Sequence, residues 1–194
     1  MLLYLPVSWE DEPGAVARVA ARAGCSLVEQ GSVAAGVAVF SISCPSRWTT
    51  VDLLDELAWE DSREPETRRY ARACRFRSLA DLLAWVQERV PFVPEEIETF
   101  KGWRYTLSHG GDCDDSARLL VALLRSLDVP ARLATIGDPP LHVAAQAYSR
   151  HRQRDGLDPW AWMDATVQGA RPGEHPAEAC ARLGIPVRPD LAGG

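Results

Sequence analysis

The sequence predicts an α+β protein, and three stretches carry that prediction. Gly110-Gly111-Asp112-Cys113-Asp114-Asp115 leads into a strongly apolar run, Ser116 to Leu127, with the pattern of a buried helix. Leu141 to Tyr148 alternates, with His142, Ala144, Gln146 and Tyr148 on one side and Val143, Ala145 and Ala147 on the other, the period of a strand. Trp160 to Thr166 reads as a second strand, reached through a polar loop in which Asp155-Gly156 can turn the chain, so the two can pair as a hairpin.

With 194 residues, 46% of them hydrophobic, the chain can bury a proper core, and its length suggests one domain with a small appendage. Residues 1–60 read as an N-terminal α+β extension and 61–194 as the core. Charge is mildly acidic, 21 − 27 = −6, which argues against nucleic acid as a partner. No apolar run approaches the ~20 residues of a membrane helix, and the first residues lack the basic start and cleavage site of a secretory leader. Five scattered cysteines, Cys25, Cys44, Cys74, Cys113 and Cys180, include no CxxC pair. Neither a disulfide framework nor a zinc site is expected, Cys25 and Cys44 read as packed thiols, and the cytoplasm is the expected home.

In chain order, residues 1–8 read as a strand. Pro13, behind Asp11-Glu12, opens a helix whose Ala15, Val16, Val19, Ala20 and Ala23 form one stripe, ended by Gly24. Ser26 to Gln30 and Val37 to Ser43 read as short strands around Gly31 and Gly36. Thr49 or Thr50 starts a helix carrying Val51, Leu53, Leu54, Leu57 and Ala58. The Arg-rich segment 60–77 reads as a solvated helix face and linker. Ser78, with Asp81 three residues on, caps a helix that carries Leu79, Leu82, Leu83, Val86 and Val90 and stops at Pro91. Residues 92–107 read as an irregular connection in which Trp103 can shape a pocket or offer an indole N–H. After the Cys113 helix, Val129 to Ile136 reads as a strand and Gly137 to Pro140 as a turn. The loop 149–155 is basic and exposed. A short helix, Ala177 to Leu183, ends at Gly184, and the tail from Ile185 is expected to be poorly ordered at its end.

Chemistry concentrates on Cys113. At a helix start, free N–H groups and the positive end of the dipole favour thiolate over thiol and can hold an oxyanion. Asp112, Asp114 and Asp115 oppose the thiolate, so a basic partner is needed. His142 and Asp164 can supply base and orienting carboxylate if the two strands pair. His109 is too near Cys113 in sequence to face it from another strand, His175 lies beyond the hairpin, and Ser116 carries no signature of its own. The three Asp lack the further oxygens of an EF-hand calcium loop, and their expected role is capping by Asp112 and Asp115, with Asp114 or Asp115 facing the cleft. Gln87 is a weaker candidate for an oxyanion donor.

Taken together, Gly111-Asp112-Cys113-Asp114-Asp115, the Ala-Leu-Leu helix, Leu127 to Arg132, His142-Val143 and Trp162 to Thr166 resemble the transglutaminase-like superfamily, and most of all its bacterial and phage-associated "GDCDD" members. The likeness spans roughly 78–166. It implies a papain-like core with a Cys-bearing central helix packed on an antiparallel sheet, Cys113 as nucleophile, His142 as base and Asp164 as orienter, and neither metal nor cofactor. Trp103, Asp114 and Trp162 become substrate-binding candidates. The implied activity is acyl transfer on amide bonds of a protein or peptide, as a cysteine peptidase, amidase or protein-glutamine acyltransferase. The alternative is a non-catalytic scaffold of the same fold, such as a phage-related assembly protein.

Overall fold

Two sheets, one mixed and one antiparallel, each pack against helices, and the helix Arg47–Arg63 contributes to both cores. The structure is a computed structural model that describes residues 2–6, 13–33, 37–95, 99–138 and 141–191. Strands β1 (Leu2–Pro6), β2 (Ser26–Val33), β3 (Val37–Ser43) and β4 (Thr99–Lys101) form a sheet in the order β2-β3-β1-β4. β1 is antiparallel to β3 and parallel to β4. Against this sheet, helix α1 (Pro13–Arg22) lays Val16, Val19 and Ala20, and α2 (Arg47–Arg63) lays Leu53, Leu54 and Leu57, closing over Phe40, Ile42 and Phe100. The Asp11-Glu12 lead-in to α1, Gly36 and the Pro139-Pro140 end of the turn lie outside the described residues.

α2 starts earlier than expected. Its N-cap is Ser46, whose Oγ accepts from the Thr49 N–H, while Thr49 Oγ1 accepts from the Ser46 N–H. Thr49 is therefore the third residue of a capping box rather than its first.

Cys25 and Cys44 are joined by a disulfide, which corrects their reading as separate packed thiols. Ser26 and Ser43 are register partners, so the residues just beyond them sit side by side at the same end of β2 and β3, with Cα atoms 4.4 Å apart. Sequence spacing of 19 gives no hint of that pairing. The expectation of a reducing compartment loses the support it drew from unpaired cysteines.

The second sheet is an antiparallel meander, β5 (Ala131–Ile136), β6 (His142–Tyr148) and β7 (Trp160–Met163), with the expected hairpin between β6 and β7. Helix α6 (Cys113–Ser126) lies on it. Leu119, Leu120, Val121, Leu123 and Leu124 meet Ala145, Ala147 and Met163 from the sheet and Leu82, Leu83 and Val86 from α4 (Leu79–Arg89). Each such buried aliphatic contributes about 1.5–3 kcal/mol, which is why α6 holds a fixed position. α2 is tied to it by a buried bidentate pair, in which Arg118 donates from Nε and Nη2 to Asp61 at 2.7 and 3.0 Å. α3 (Pro65–Cys74) completes the helical side of this core.

Among its described residues the stretch 92–107 is not wholly irregular. It contains β4 and helix α5 (Trp103–His109), separated by Gly102. A three-residue strand exists only because β1 pairs with it, a non-local cause. The C-terminal part holds α7 (Arg150–Arg154), α8 (Pro176–Leu183, N-capped by His175) and a 3-10 turn at Pro189–Leu191. Leu191 is buried against Ile136, Val167, Ala170, Ala179 and Cys180, so the tail is anchored at that residue. Among the described residues no helix is long and apolar enough to cross a membrane.

Candidate active site

Cys113 is the first residue of α6, free and half-buried. Two glycines set it there for different reasons. Gly110 has φ +81°, and a Cβ on it would stand 2.4 Å from the Pro91 carbonyl oxygen; both facts require glycine. At Gly111 the constraint is space alone, since a Cβ would meet Asp115 at 2.5 Å. The loop is stitched to the chain before β4, with Gly111 N–H donating to Pro91 O at 3.2 Å and Val93 N–H to Gly111 O at 3.0 Å.

Asp112 is the N-cap residue by backbone, but its side chain makes no capping hydrogen bond. Asp115 does not cap either. It accepts from the Lys101 backbone N–H at 2.7 Å and from Lys101 Nζ at 2.6 Å, and that ammonium also contacts Glu95. These contacts correct the capping roles expected of both residues. Burial pushes the Asp115 carboxyl up, Lys101 opposes this, and the group settles at about 6. Asp114 is buried in the first turn. Carboxylate oxygens of Asp112, Asp114 and Asp115 lie within 4.8 Å of one another, but those of Asp115 are committed to Lys101.

His142 opens β6 and is fully buried. Its Nε2 is 2.8 Å from Asp164 Oδ2. The ladder explains the meeting: Ala145 pairs with Met163, so one step further Asp164 falls opposite Ala144, on the His142 face. β7 ends at Met163 because Asp164 Oδ1 accepts from both Thr166 N–H and Thr166 Oγ1, each at 2.8 Å, an Asx-type turn. One carboxylate oxygen therefore orients the imidazole while the other shapes the chain. Burial opposes the Asp164 charge, yet the His142 ring and the Thr166 donors outweigh it and hold the carboxyl below its ordinary range. For His142, burial disfavours the imidazolium, but the hydrogen bonds and charges of Asp164 and Cys113 prevail and push the ring up to about 9. Nε2 being taken, Nδ1 is the nitrogen left for another partner.

Asp190 is a neighbour that the sequence did not suggest. Its Oδ2 lies 3.7 Å from His142 Nδ1 and 3.1 Å from Arg188 Nη2. Gln87 is placed differently from an oxyanion donor: its Nε2 donates to the carbonyls of Val167 at 2.9 Å and Asp164 at 3.4 Å, so the amide braces the segment behind Asp164.

The other named residues make contacts of their own. Trp103 is buried in the main core, its ring tilted against Tyr70 at 5.3 Å, with its indole N–H donated to Glu64 at 3.2 Å. Trp162 is half-buried, edge-on to His175 at 5.0 Å. His109 stacks on Tyr105 at 4.1 Å, and the His175 ring caps α8. Ser116 is buried within α6.

The model of a family described as the transglutaminase-like superfamily matches residues 67–165, half of the chain. No curated protein matches it. One solved structure, titled a "Putative Cysteine Protease" from Cytophaga hutchinsonii, is 18% identical over 76% of this chain and 68% of that one, with a TM-score of 0.36. At that TM-score the likeness carries no argument about chemistry.

Proposed function

Because the chain belongs to the transglutaminase-like superfamily, we propose that it performs cysteine-dependent acyl transfer on amide bonds of a protein or peptide, through a thioester on Cys113. The observation that carries this reading is the buried His142 ring held at 2.8 Å by Asp164, with Cys113 among the groups that raise its pKa. With the ring charged at neutral pH, Nδ1 of His142 already carries the proton that the thiol has given up, and the sulfur, as thiolate, forms a bond to the amide carbonyl carbon. Negative charge moves to the carbonyl oxygen, where the Cys113 N–H, uncapped by Asp112 at the start of α6, supports it. On collapse the C–N bond breaks, and the imidazolium returns its proton to the departing amine. Water then cleaves the thioester in a peptidase or amidase, and a primary amine takes the acyl group in a transglutaminase. Asp164 acts through His142 by fixing the ring with Nδ1 towards the sulfur.

The test is turnover of dimethylcasein with and without a fluorescent primary amine. New N-termini or released ammonia, or amine incorporated into the casein, each lost in Cys113→Ala and in His142→Ala, support the proposal. Turnover that survives Cys113→Ala refutes it. Amine incorporation in excess of hydrolysis selects the transferase branch.

A further inference from the structure

The C-terminal strap, Ile185 to Leu191, reaches the site from outside the matched region, and its side chains fasten it over its second half. Leu191 is buried in a satellite core, and the Arg188 guanidinium rests over Phe92, 5.5 Å from the ring centroid. Phe92 bridges Gly111 in the loop before Cys113, so the strap is clipped to the nucleophile loop itself. Ahead of these points, in the first half of the strap, Ile185 and Val187 are exposed. The backbone hydrogen bonds the strap makes among the described residues are local, Ile185 N–H to Cys180 O and Leu191 N–H to Arg188 O.

The fastening brings Asp190 to His142. The ring then has a carboxylate at each nitrogen: Asp164 on Nε2 at 2.8 Å, and Asp190 3.7 Å from Nδ1. Nδ1 is buried and makes no hydrogen bond of good geometry among the described residues, a costly condition for a buried donor. Two acceptors stand near it, the Cys113 sulfur and Asp190 Oδ2, and one N–H cannot serve both fully. Arg188, 3.1 Å from the same Oδ2, draws the carboxylate away from the ring.

Resting on the acyl-transfer reading, we propose that this strap restrains the site: Asp190 competes with the Cys113 sulfur for Nδ1 of His142, and Arg188 sets how far it succeeds. Shifting Asp190 by under about 1 Å gives it hydrogen-bonding distance to Nδ1, and the ring is then no longer available to the thiol. Drawing it onto Arg188 releases the ring. The strap is thus a regulatory element of the same site, and substrate that lifts it favours the competent pairing.

Opposite signs from two neighbouring residues make the test. Alkylation of Cys113 by iodoacetamide at neutral pH is followed by peptide mapping in wild type, Asp190→Asn, Arg188→Ala, the double variant and His142→Ala, with the melting temperature of each. Asp190→Asn is expected to raise the rate about threefold, the scale of a partly exposed charge contact. Arg188→Ala is expected to lower it, and the double variant to behave as Asp190→Asn. Equal rates in all tail variants, or the same direction of change in both single variants, overturn the restraint. Because wild-type labelling that is lost in His142→Ala tests the catalytic reading separately, either account can fail without the other.

Discussion

Raising the pH from 6 to 10 should cost the fold stability through a single ring. His142 is fully buried and 2.8 Å from Asp164, and its pKa stands at about 9, against about 6.5 for an unfolded histidine. A raised folded value means that the imidazolium is the form the fold prefers. Below about pH 6.5 the ring is charged in both states and its contribution is fully present. Between about 6.5 and 9 the unfolded chain releases its proton first, and the contribution drains away; above about 9 it is gone. At about 1.4 kcal/mol per tenfold change in proton affinity, the loss is about 3 kcal/mol. Asp164, held below its ordinary range, gives the opposite limb: its contribution is present above about pH 4 and is lost as the solution is acidified through the folded value. Urea unfolding at half-unit pH steps measures this, taken as wild type minus Asp164→Asn, so that lysines, tyrosines and the free thiols cancel. A difference that stays flat within about 0.5 kcal/mol from pH 6.5 to 9 would refute the claim that Asp164 holds a charged His142.

Three further outcomes follow from the packing. Asp61→Ala should destabilise by about 3–5 kcal/mol in chemical denaturation, because it leaves Arg118 buried and uncompensated, whereas Asp61→Leu with Arg118→Met should recover most of that loss. Replacing Cys25 and Cys44 together by Ser should cost about 3 kcal/mol, the loop-closure value for a separation of 19 residues, and reductant should do the same to wild type; a cost under about 1 kcal/mol contradicts a bond that constrains the fold. Gly111→Ala should slow Cys113 alkylation about tenfold or more with a modest fall in melting temperature, since its Cβ strikes an Asp115 pinned by Lys101 and displaces the loop that aims the sulfur; an unchanged rate contradicts that account of the glycine.

The features legible in the sequence were those with local causes. Helix α6 shows an apolar pattern behind a glycine loop, α4 shows Ser78 capping at the Asp81 N–H, and the β6–β7 hairpin shows alternation on both arms. Cys113, His142 and Asp164 could be named because each sits at the edge of such an element. What escaped depends on register or on pairing at a distance. β4 is a strand only because β1 lies beside it, and three residues are too few to show a period. Cys25 and Cys44 meet because Ser26 pairs with Ser43. Asp115 reads as a helix cap because it stands in a first turn, but folding brings Lys101 to it from 14 residues upstream. Asp190 carried no signal at all: it approaches His142 only because Leu191 finds a buried pocket, and a leucine near a chain end reads as tail.

The most direct test of the central claim is the rate at which Cys113 is alkylated as a function of pH, compared between wild type and His142→Ala. The account predicts fast, selective modification of Cys113 over Cys74 and Cys180 in wild type, persisting well below pH 8, and its collapse to the rate of an ordinary thiol in the variant. Equal rates and equal pH profiles in the two proteins would contradict it, because the imidazole would then have no hold on the sulfur.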